Sequence, residues 1–283
     1  MIYSLNTVGK EFGEGRHRCV AVRNVTLQVS AGEQIALIGP SGSGKTTLFR
    51  LMNGSLFPSS GKLLYRESDL AATSHRQLRE MRRRIGSIYQ QHYLVAGMSV
   101  LANTLSGALG RWGMVSTLRN LASPSAVEVE RAERCLESVG LADKRRFRCE
   151  QLSGGQQQRL AIARTLMQEP EVILADEPVA SLDPVLSNEI LELLVRLTEE
   201  AKLTLLTSLH QVDLALRHSK RIVGLRCGEI AFDAPSKDVD QRSLAQLYRS
   251  AREHDAAPSG GPFEESGGAS HGAESGQKGA CTH

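Results

Sequence analysis

The stretch GPSGSGKTT, residues 39–47, constrains the fold of this chain more than any other feature. It matches the pattern G-x-x-x-x-G-K-[ST] in full, follows the apolar run IALI and precedes the helix-like run TLFRLMNG. Glycines let backbone N–H groups converge on phosphate oxygens, and the N-terminus of the following helix favours their negative charge. In such a loop the lysine reaches the β and γ phosphates of a nucleotide, and the next hydroxyl ligates Mg²⁺. With Thr46 as the magnesium ligand, the predicted phosphate-binding residues are Gly39, Pro40, Ser41, Gly42, Ser43, Gly44, Lys45, Thr46 and Thr47.

Four short apolar runs predict buried parallel strands, which indicates an α/β fold. They span residues 35–38, 172–175, 203–207 and 222–225. Polar residues directly follow each of the first three runs, and an open α/β sheet binds its ligands at the carboxyl ends of its strands. We therefore expect the chemistry of this chain at one edge of the sheet.

Other patterns predict antiparallel strands and a helical middle. Val25, Leu27 and Val29 alternate with polar residues, which is typical of an antiparallel strand. Between the first two parallel strands, VEVERAERCLESVG has apolar residues at helical spacing and ends in a glycine stop signal. The stretch RIVGLRCGEIAFD predicts a hairpin in which Cys227 takes a turn position that Asn or Asp tolerates better.

Acidic, histidine and glutamine side chains follow the predicted strands. In VILADEP, Asp176 is expected to hold the Mg²⁺ shell, and Glu177 is expected to act as general base on the attacking water. His210 ends the next predicted strand, which favours a contact with the γ-phosphate and that water. Gln90 follows the strand-like run IGSIY and is a candidate ligand of the metal and sensor of the water, with Gln91 as the competing choice.

A second small-residue turn, LSGGQQQ at residues 152–158, opens into the helix-like run RLAIARTLM. It predicts another anion site at a helix N-terminus, formed by Ser153, Gly154, Gly155 and Gln156. This turn lies in the helical middle, where we expect it to be out of reach of the chain's own Lys45. If two copies pack head to tail about a two-fold axis, each turn closes on the γ-phosphate held by the other copy.

Composition limits the cellular compartment, the cysteine chemistry and the ordered length that can be expected of this chain. No run approaches the ~18 apolar residues of a membrane-spanning helix, and the N-terminus lacks a signal-peptide pattern, so we expect the chain to fold in the cytoplasm. The five cysteines form no metal-ligand spacing and are expected to be reduced. Residues 254–283 are rich in Gly, Ser, Ala and Glu, which predicts a disordered acidic tail.

In this order, GPSGSGKT, Gln90, LSGGQ, LADEP, SLDP and His210 resemble the nucleotide-binding subunit of an ABC transporter, over residues 1–250. The resemblance implies a P-loop NTPase with a RecA-like core, an N-terminal antiparallel β subdomain and an inserted α-helical signature subdomain at residues 91–160. It implies ATP and Mg²⁺ as cofactors. It also implies an aromatic residue stacked on adenine, for which Phe12 is the candidate and Tyr3 the alternative. The loop that contacts the other copy across the dimer is implied to be Ser181, Leu182 and Asp183.

Finer details, including YQQHYLV, ADEPVASLDP and SLHQVDLA, resemble the ATPase subunit of phosphonate importers. That family implies a pair of ATPase subunits beneath two integral membrane permease subunits, fed by an extracytoplasmic solute-binding protein. It places the ATPase peripherally on the cytoplasmic face of the bacterial inner membrane. The permease is implied to rest in a groove beside Gln90 and the exposed apolar stretch Tyr93, Leu94 and Val95.

Several alternatives remain at this point. Phosphate, phosphite or another solute competes with phosphonate as the cargo, and a soluble ABC ATPase competes with a transport subunit. A GTPase is disfavoured because its N-K-x-D motif is absent from the sequence. A small kinase is disfavoured because its reaction does not require an LSGGQ motif. The basic clusters HRQLREMRRR and KRRFR have few interleaved aromatic residues, so a solvated helix face or a partner contact is favoured over nucleic acid or anionic lipid headgroups.

Overall fold

The computed structural model describes residues 1–13, 18–91, 93–112, 116–117, 119–120 and 123–249. The predicted tail at residues 254–283 lies outside the described residues. The strands are β1 (Tyr3–Phe12), β2 (Cys19–Val29), β3 (Gln34–Ile38), β4 (Ser60–Tyr65), β5 (Ser68–Asp69), β6 (Ile85–Tyr89), β7 (Val172–Asp176), β8 (Thr204–Leu209), β9 (Arg221–Arg226) and β10 (Glu229–Pro235). The helices discussed below are α1 (Lys45–Met52), α2 (His75–Arg84), α3 (Val100–Ser106), α4 (Ala126–Ser138), α5 (Gly154–Met167), α6 (Pro184–Glu200), α7 (Val212–His218) and α8 (Gln241–Tyr248).

A six-stranded sheet in the order β10-β9-β3-β8-β7-β6 forms the centre of the fold. The pairs β9–β3, β3–β8, β8–β7 and β7–β6 are parallel, which confirms the predicted parallel strands. The hairpin is also confirmed, because β10 pairs antiparallel with β9. Its turn has positive φ angles at Cys227 (48°) and Gly228 (80°), the conformation that a two-residue hairpin turn requires.

Strand β3 is buried on both faces, and its alternate residues belong to different hydrophobic cores. Ile35 and Leu37 pack with α1 and with a four-stranded antiparallel sheet in the order β2-β1-β4-β5. Ala36 and Ile38 pack on the other face with residues of α5 and α6. This two-sided burial explains why β3 is a continuous apolar run, as parallel strands covered on both faces are.

The helical middle is built from α3, α4 and α5, which pack on one another. The helix predicted at residues 127–140 is confirmed as α4, with Ala132 and Leu136 buried and Gly140 at a φ of 72° just beyond its end. An added Cβ at Gly107 would overlap the backbone carbonyl oxygen of Arg164, so the end of α3 lies directly on α5. The boundary predicted at residue 160 falls inside α5, which continues to Met167.

Within the ranges described above, no helix combines the length and the apolar character needed to cross a membrane.

Candidate active site

The phosphate loop leaves the carboxyl end of β3 and ends in the first turn of α1. Two of its glycines are required sterically: an added Cβ at Gly39 would overlap the Leu225 carbonyl oxygen, and one at Gly44 would overlap that of Ala21. Gly44 has a φ of 104° and makes no side-chain cap, so no side chain at the cap position covers the first N–H groups of α1. Such N–H groups bind anions. The loop is therefore shaped for phosphate by its close packing against β9 and β2.

Lys45 lies inside this loop and is 5% exposed. Its ammonium donates to the carbonyl oxygens of Gly39 (2.8 Å) and Pro40 (3.1 Å), which brings the cation into the concave side of the loop. Burial lowers the pKa of Lys45, and the negative charges of Glu177 and Asp176 oppose that shift. The three charged groups are thus close enough to interact.

Asp176 is the last residue of β7 and Glu177 follows it, and a buried serine of β8 contacts both residues. Ser208 Oγ donates to Asp176 Oδ1 (2.6 Å) and accepts from the backbone N–H of Glu177 (3.0 Å). Glu177 has a φ of 50°, a left-handed conformation that costs about 1–3 kcal/mol for a non-glycine residue. His210 Nε2 lies 2.5 Å from Glu177 Oε1. The structure therefore brings Asp176, Glu177 and His210 together, as their positions at strand ends predicted.

Sequence reasoning missed Ser208. The parallel register pairs it with Asp176, so its hydroxyl lies beside that carboxylate. The signal that would have found it was a serine at the end of the predicted strand, two positions before His210. Buried hydroxyls are almost always hydrogen-bonded, so a serine at the end of a core strand indicates a partner on the adjacent strand.

Two adjoining cavities open beside these groups. One has a volume of about 260 Å³ and is lined by Cys19, Val20, Ala21, Glu177 and the loop residues from Ser41 to Thr47. The other measures about 470 Å³, and its lining includes Thr46, Gln90, Gln91, Asp176 and Glu177. Thr46 and Glu177 line both, so the phosphate loop and the carboxylates face a shared space. Because both glutamines line the second cavity, the choice between Gln90 and Gln91 remains a prediction.

The predicted magnesium ligands fit that ion in their chemistry. Thr46, Gln90 and Asp176 line the same cavity and offer hydroxyl, amide and carboxylate oxygens, the hard donors that Mg²⁺ prefers. Among the described residues, no group of three or more His, Cys, Asp and Glu side chains is arranged to hold a metal. Proteins usually bind Mg²⁺ through a few oxygen ligands, and substrate phosphates complete the coordination shell.

The signature turn has a well-defined local structure away from these cavities. Ser153 caps α5 by accepting from the Gln156 N–H, and the Gln156 side chain accepts from the Ser153 N–H. A Cβ at Gly155 would lie 2.5 Å from a methyl group of Leu186 on α6, so any larger residue would displace that side chain where α5 meets α6. None of the four signature residues lines either of the two cavities.

The loop before α6 also has a structural role. Asp183 caps α6, accepting from the N–H groups of Val185 and Leu186 at 3.0 Å each. Ser181 is exposed and Leu182 is half-buried, with its side chain 3.8 Å from the Cβ position of Gly154. The two loops that were predicted to act across a dimer are therefore neighbours on one surface.

The adenine-stacking alternative Tyr3 is wrong. Its side chain is fully buried and its hydroxyl donates to the carbonyl oxygen of Met52 (3.0 Å), so it is a core residue. Phe12 is 40% exposed and pairs across the strands with Cys19, which lines the smaller cavity. Its stacking role stays a prediction.

This combination of a parallel sheet, a phosphate loop between β3 and α1 and acidic residues after β7 defines a P-loop NTPase. The ABC transporter family profile matches residues 22–180. The Phosphonates import ATP-binding protein PhnC 3 of Halalkalibacterium halodurans is 43% identical over 235 residues, covering 83% of this chain and 90% of the relative. The Phosphonates import ATP-binding protein PhnC of Frankia casuarinae is 46% identical over 243 residues, covering 86% and 94%.

Solved structures agree with this assignment. The dimeric structure of MJ0796, a bacterial ABC transporter cassette, superposes with a TM-score of 0.73 at 31% identity, covering 84% of this chain and all of that one. The same cassette in a post-hydrolysis state bound to ADP and Pi gives a TM-score of 0.71, with 84% of this chain covered. The chain belongs to the ABC transporter family. Membership makes it an ATP-hydrolysing subunit of a transporter.

Proposed function

We propose that this chain hydrolyses ATP to energise the import of phosphonates through a partner permease. The relatives named phosphonates import ATP-binding proteins support the cargo, because they match nearly their whole length at 43–46% identity. The contact of Glu177 with His210 beside the phosphate loop carries the hydrolytic part of the proposal. A carboxylate held next to a nucleotide site is suited to accept a proton from water.

Each residue of the site has a distinct task in this reaction. Lys45 exchanges its contacts with the Gly39 and Pro40 carbonyl oxygens for the β and γ phosphates. Glu177 takes the proton of the attacking water on its carboxylate, and His210 orients that carboxylate through Oε1. Thr46, Asp176 and Gln90 would hold Mg²⁺, which neutralises phosphate charge when bound. Ser208 holds the Asp176 carboxylate and the backbone of Glu177 in their relative positions.

A second copy of the chain completes the site. The signature residues Ser153, Gly154, Gly155 and Gln156 do not line this chain's own cavities, whereas their N–H groups at the start of α5 suit an anion. The dimeric structure of the MJ0796 cassette supports a pair of copies, which we expect to pack head to tail. In that pair, each signature turn contacts the γ-phosphate held by the other copy.

The permease would dock in a groove between the sheet and the helical middle. The groove has a volume of about 490 Å³. Its lining includes Arg79, Arg82, Arg83 and Arg164, and none of the described residues that line it carries a carboxylate. Tyr93 and Val95 nearby are 64% and 52% exposed. Leu94 was expected to be exposed but is half-buried, because it packs against the core. This surface suits an amphipathic permease segment with acidic residues, which would hold the chain at the cytoplasmic face of the membrane.

The test is reconstitution of the chain with its permease and extracytoplasmic binding protein in vesicles. We expect ATP hydrolysis to rise with methylphosphonate at concentrations where phosphate and phosphite have no effect. Vesicles with the Lys45→Ala variant control for background hydrolysis. Stimulation by phosphate or phosphite alone, or by an unrelated solute, would overturn the phosphonate assignment and leave the ATPase in place.

A further inference from the structure

The outer side of the phosphate loop is held by residues near the end of β9. A Cβ on Gly39 would overlap the Leu225 carbonyl oxygen, so this strand and the start of the loop are in close contact. In the hairpin turn that follows β9, Gly228 donates its N–H to the carbonyl oxygen of Ser43 at 3.0 Å. The C-terminal part of the fold therefore fixes the loop at two points.

Helix α8 packs at the same end of β9. Arg226, the last residue of β9, donates from Nη1 to the carbonyl oxygen of Gln246 at 2.9 Å. Leu247 is 1% exposed and belongs to the hydrophobic core that contains Ile38, the residue before Gly39. The last turn of α8 is therefore anchored close to the start of the phosphate loop.

The side chain of Tyr248, the last residue of α8, reaches that start. Its hydroxyl oxygen is buried, and no described residue makes a hydrogen bond of ordinary geometry with it. Burial raises the pKa of Tyr248, and an interaction with the backbone of Gly39 opposes that shift. An N–H that faces a phenolic oxygen lowers its pKa, because the N–H stabilises the anion. The oxygen of Tyr248 therefore faces the N–H of Gly39.

A hydrogen bond between these two groups is favourable. A buried polar atom without a partner carries the cost of leaving water, and a small shift of the loop turns the facing groups into a hydrogen bond. The carbonyl oxygen of Gly39 in turn accepts from Lys45 Nζ at 2.8 Å. Fixing the N–H side of Gly39 therefore also restricts the side that contacts the lysine.

We propose that Tyr248 is a positioning residue for the phosphate loop: its phenolic oxygen accepts from the Gly39 N–H and holds the loop in the conformation that binds nucleotide. The inference rests on the proposed function, because it assumes that this loop binds ATP. Tyr248 lines neither cavity beside the loop, so it acts through Gly39. A loop that spends less time in its binding conformation has a proportionately lower apparent affinity. Helix α8 thereby tunes the affinity of a site that it does not touch.

The first test is Tyr248→Phe in the full chain, which keeps the ring and removes only the oxygen. We expect the affinity for ATP to fall about fivefold, which corresponds to one hydrogen bond, and KM to rise by about the same factor. The kcat at saturating ATP should keep its wild-type value, because the side chains at the ends of β7 and β8 are unchanged. Tyr65→Phe is the matched control, since this buried tyrosine contacts Glu171 instead of the loop. That variant should bind ATP as the wild type does.

Two further measurements separate positioning from a general loss of structure. Without nucleotide, the Gly39 amide should exchange with solvent about tenfold faster in Tyr248→Phe than in wild type, and at the wild-type rate in Tyr65→Phe. Arg226→Met removes the bond to the Gln246 carbonyl oxygen and loosens α8, so it should also weaken ATP binding. In a Tyr248→Phe background it should cause no additional loss, because residues that act through one another are non-additive.

Wild-type ATP affinity or wild-type Gly39 exchange in Tyr248→Phe would overturn the proposal, as would an equal loss of affinity in Tyr65→Phe. A wild-type chain that binds no ATP would instead contradict the proposed function. In that case, exchange at Gly39 still reports whether Tyr248 holds the loop.

Discussion

At the scale of single residues, Ser208 links the candidate catalytic residues. Its hydroxyl contacts the carboxylate of Asp176 and the backbone of Glu177, and Glu177 in turn contacts His210. The strained backbone of Glu177 persists because this hydrogen bond and the turn that follows hold it. The identities of the acids and the histidine were predictable from their positions after apolar strands. Their hydrogen bonds were not, because they depend on the register between β7 and β8.

We predict that Ser208→Ala lowers kcat about tenfold, because Asp176 and Glu177 lose the group that sets their relative position. Unfolding free energy should fall by about 1–2 kcal/mol, since the substitution removes two hydrogen bonds of a buried hydroxyl. Steady-state hydrolysis and urea denaturation measure the two effects. Thr198→Ala is the control, because this buried hydroxyl bonds only within α6. An equal loss of kcat in both variants would show that the effect is not local.

At the scale of elements, Glu171 joins the antiparallel sheet to the central sheet. It precedes β7 and accepts from Tyr65 Oη (3.0 Å), Arg66 Nη2 (2.6 Å) and Arg84 Nη1 (2.8 Å), which lie at the ends of β4 and α2. Burial alone would raise the pKa of Glu171. The hydrogen bonds from Arg66, Tyr65 and Arg84 outweigh burial and lower the pKa below its usual value of 4.5. The carboxylate thus stabilises the packing of the two sheets.

We predict that Glu171→Gln lowers the free energy of unfolding by about 1–3 kcal/mol at pH 7, since it leaves Arg66 and Arg84 without their charged acceptor. A folded-state pKa below 4.5 means that this stabilisation is complete above pH 4.5 and is lost as pH falls through the folded-state value. The difference between wild type and variant should therefore narrow below pH 4.5 in denaturation curves. Glu150→Gln, at an exposed ion pair, is the control. A difference that persists unchanged in acid would exclude the charge as its cause.

At the scale of the whole molecule, the phosphate loop and the signature turn lie in different units. The loop belongs to the central sheet, and the turn begins α5 in the helical middle, against α6. Each chain therefore offers two half-sites, and the proposed dimer combines them. In the proposed dimer, we expect nucleotide to stabilise the pair and hydrolysis to release it.

We predict that Glu177→Gln retains ATP binding but hydrolyses ATP at least about 100-fold more slowly, because the amide cannot accept the proton of the attacking water. With ATP and Mg²⁺ it should run as a dimer in size-exclusion chromatography with light scattering. Lys45→Ala should stay monomeric under the same conditions. A Glu177→Gln chain that binds ATP and remains monomeric would contradict the shared site.

The sequence by itself determined the parallel strands, the phosphate loop, the hairpin and the helix over 127–140. These features depend on local backbone demands and on apolar periodicity, which neighbouring residues encode. Only the tertiary structure decided that Tyr3 is a core residue, that Leu94 packs inward, and that Ser208 contacts Asp176 and Glu177. Those contacts join residues 31 and 32 positions apart, or depend on which face of a strand is covered. Such pairings depend on how sheets and helices pack against one another. No local stretch of the sequence encodes that packing.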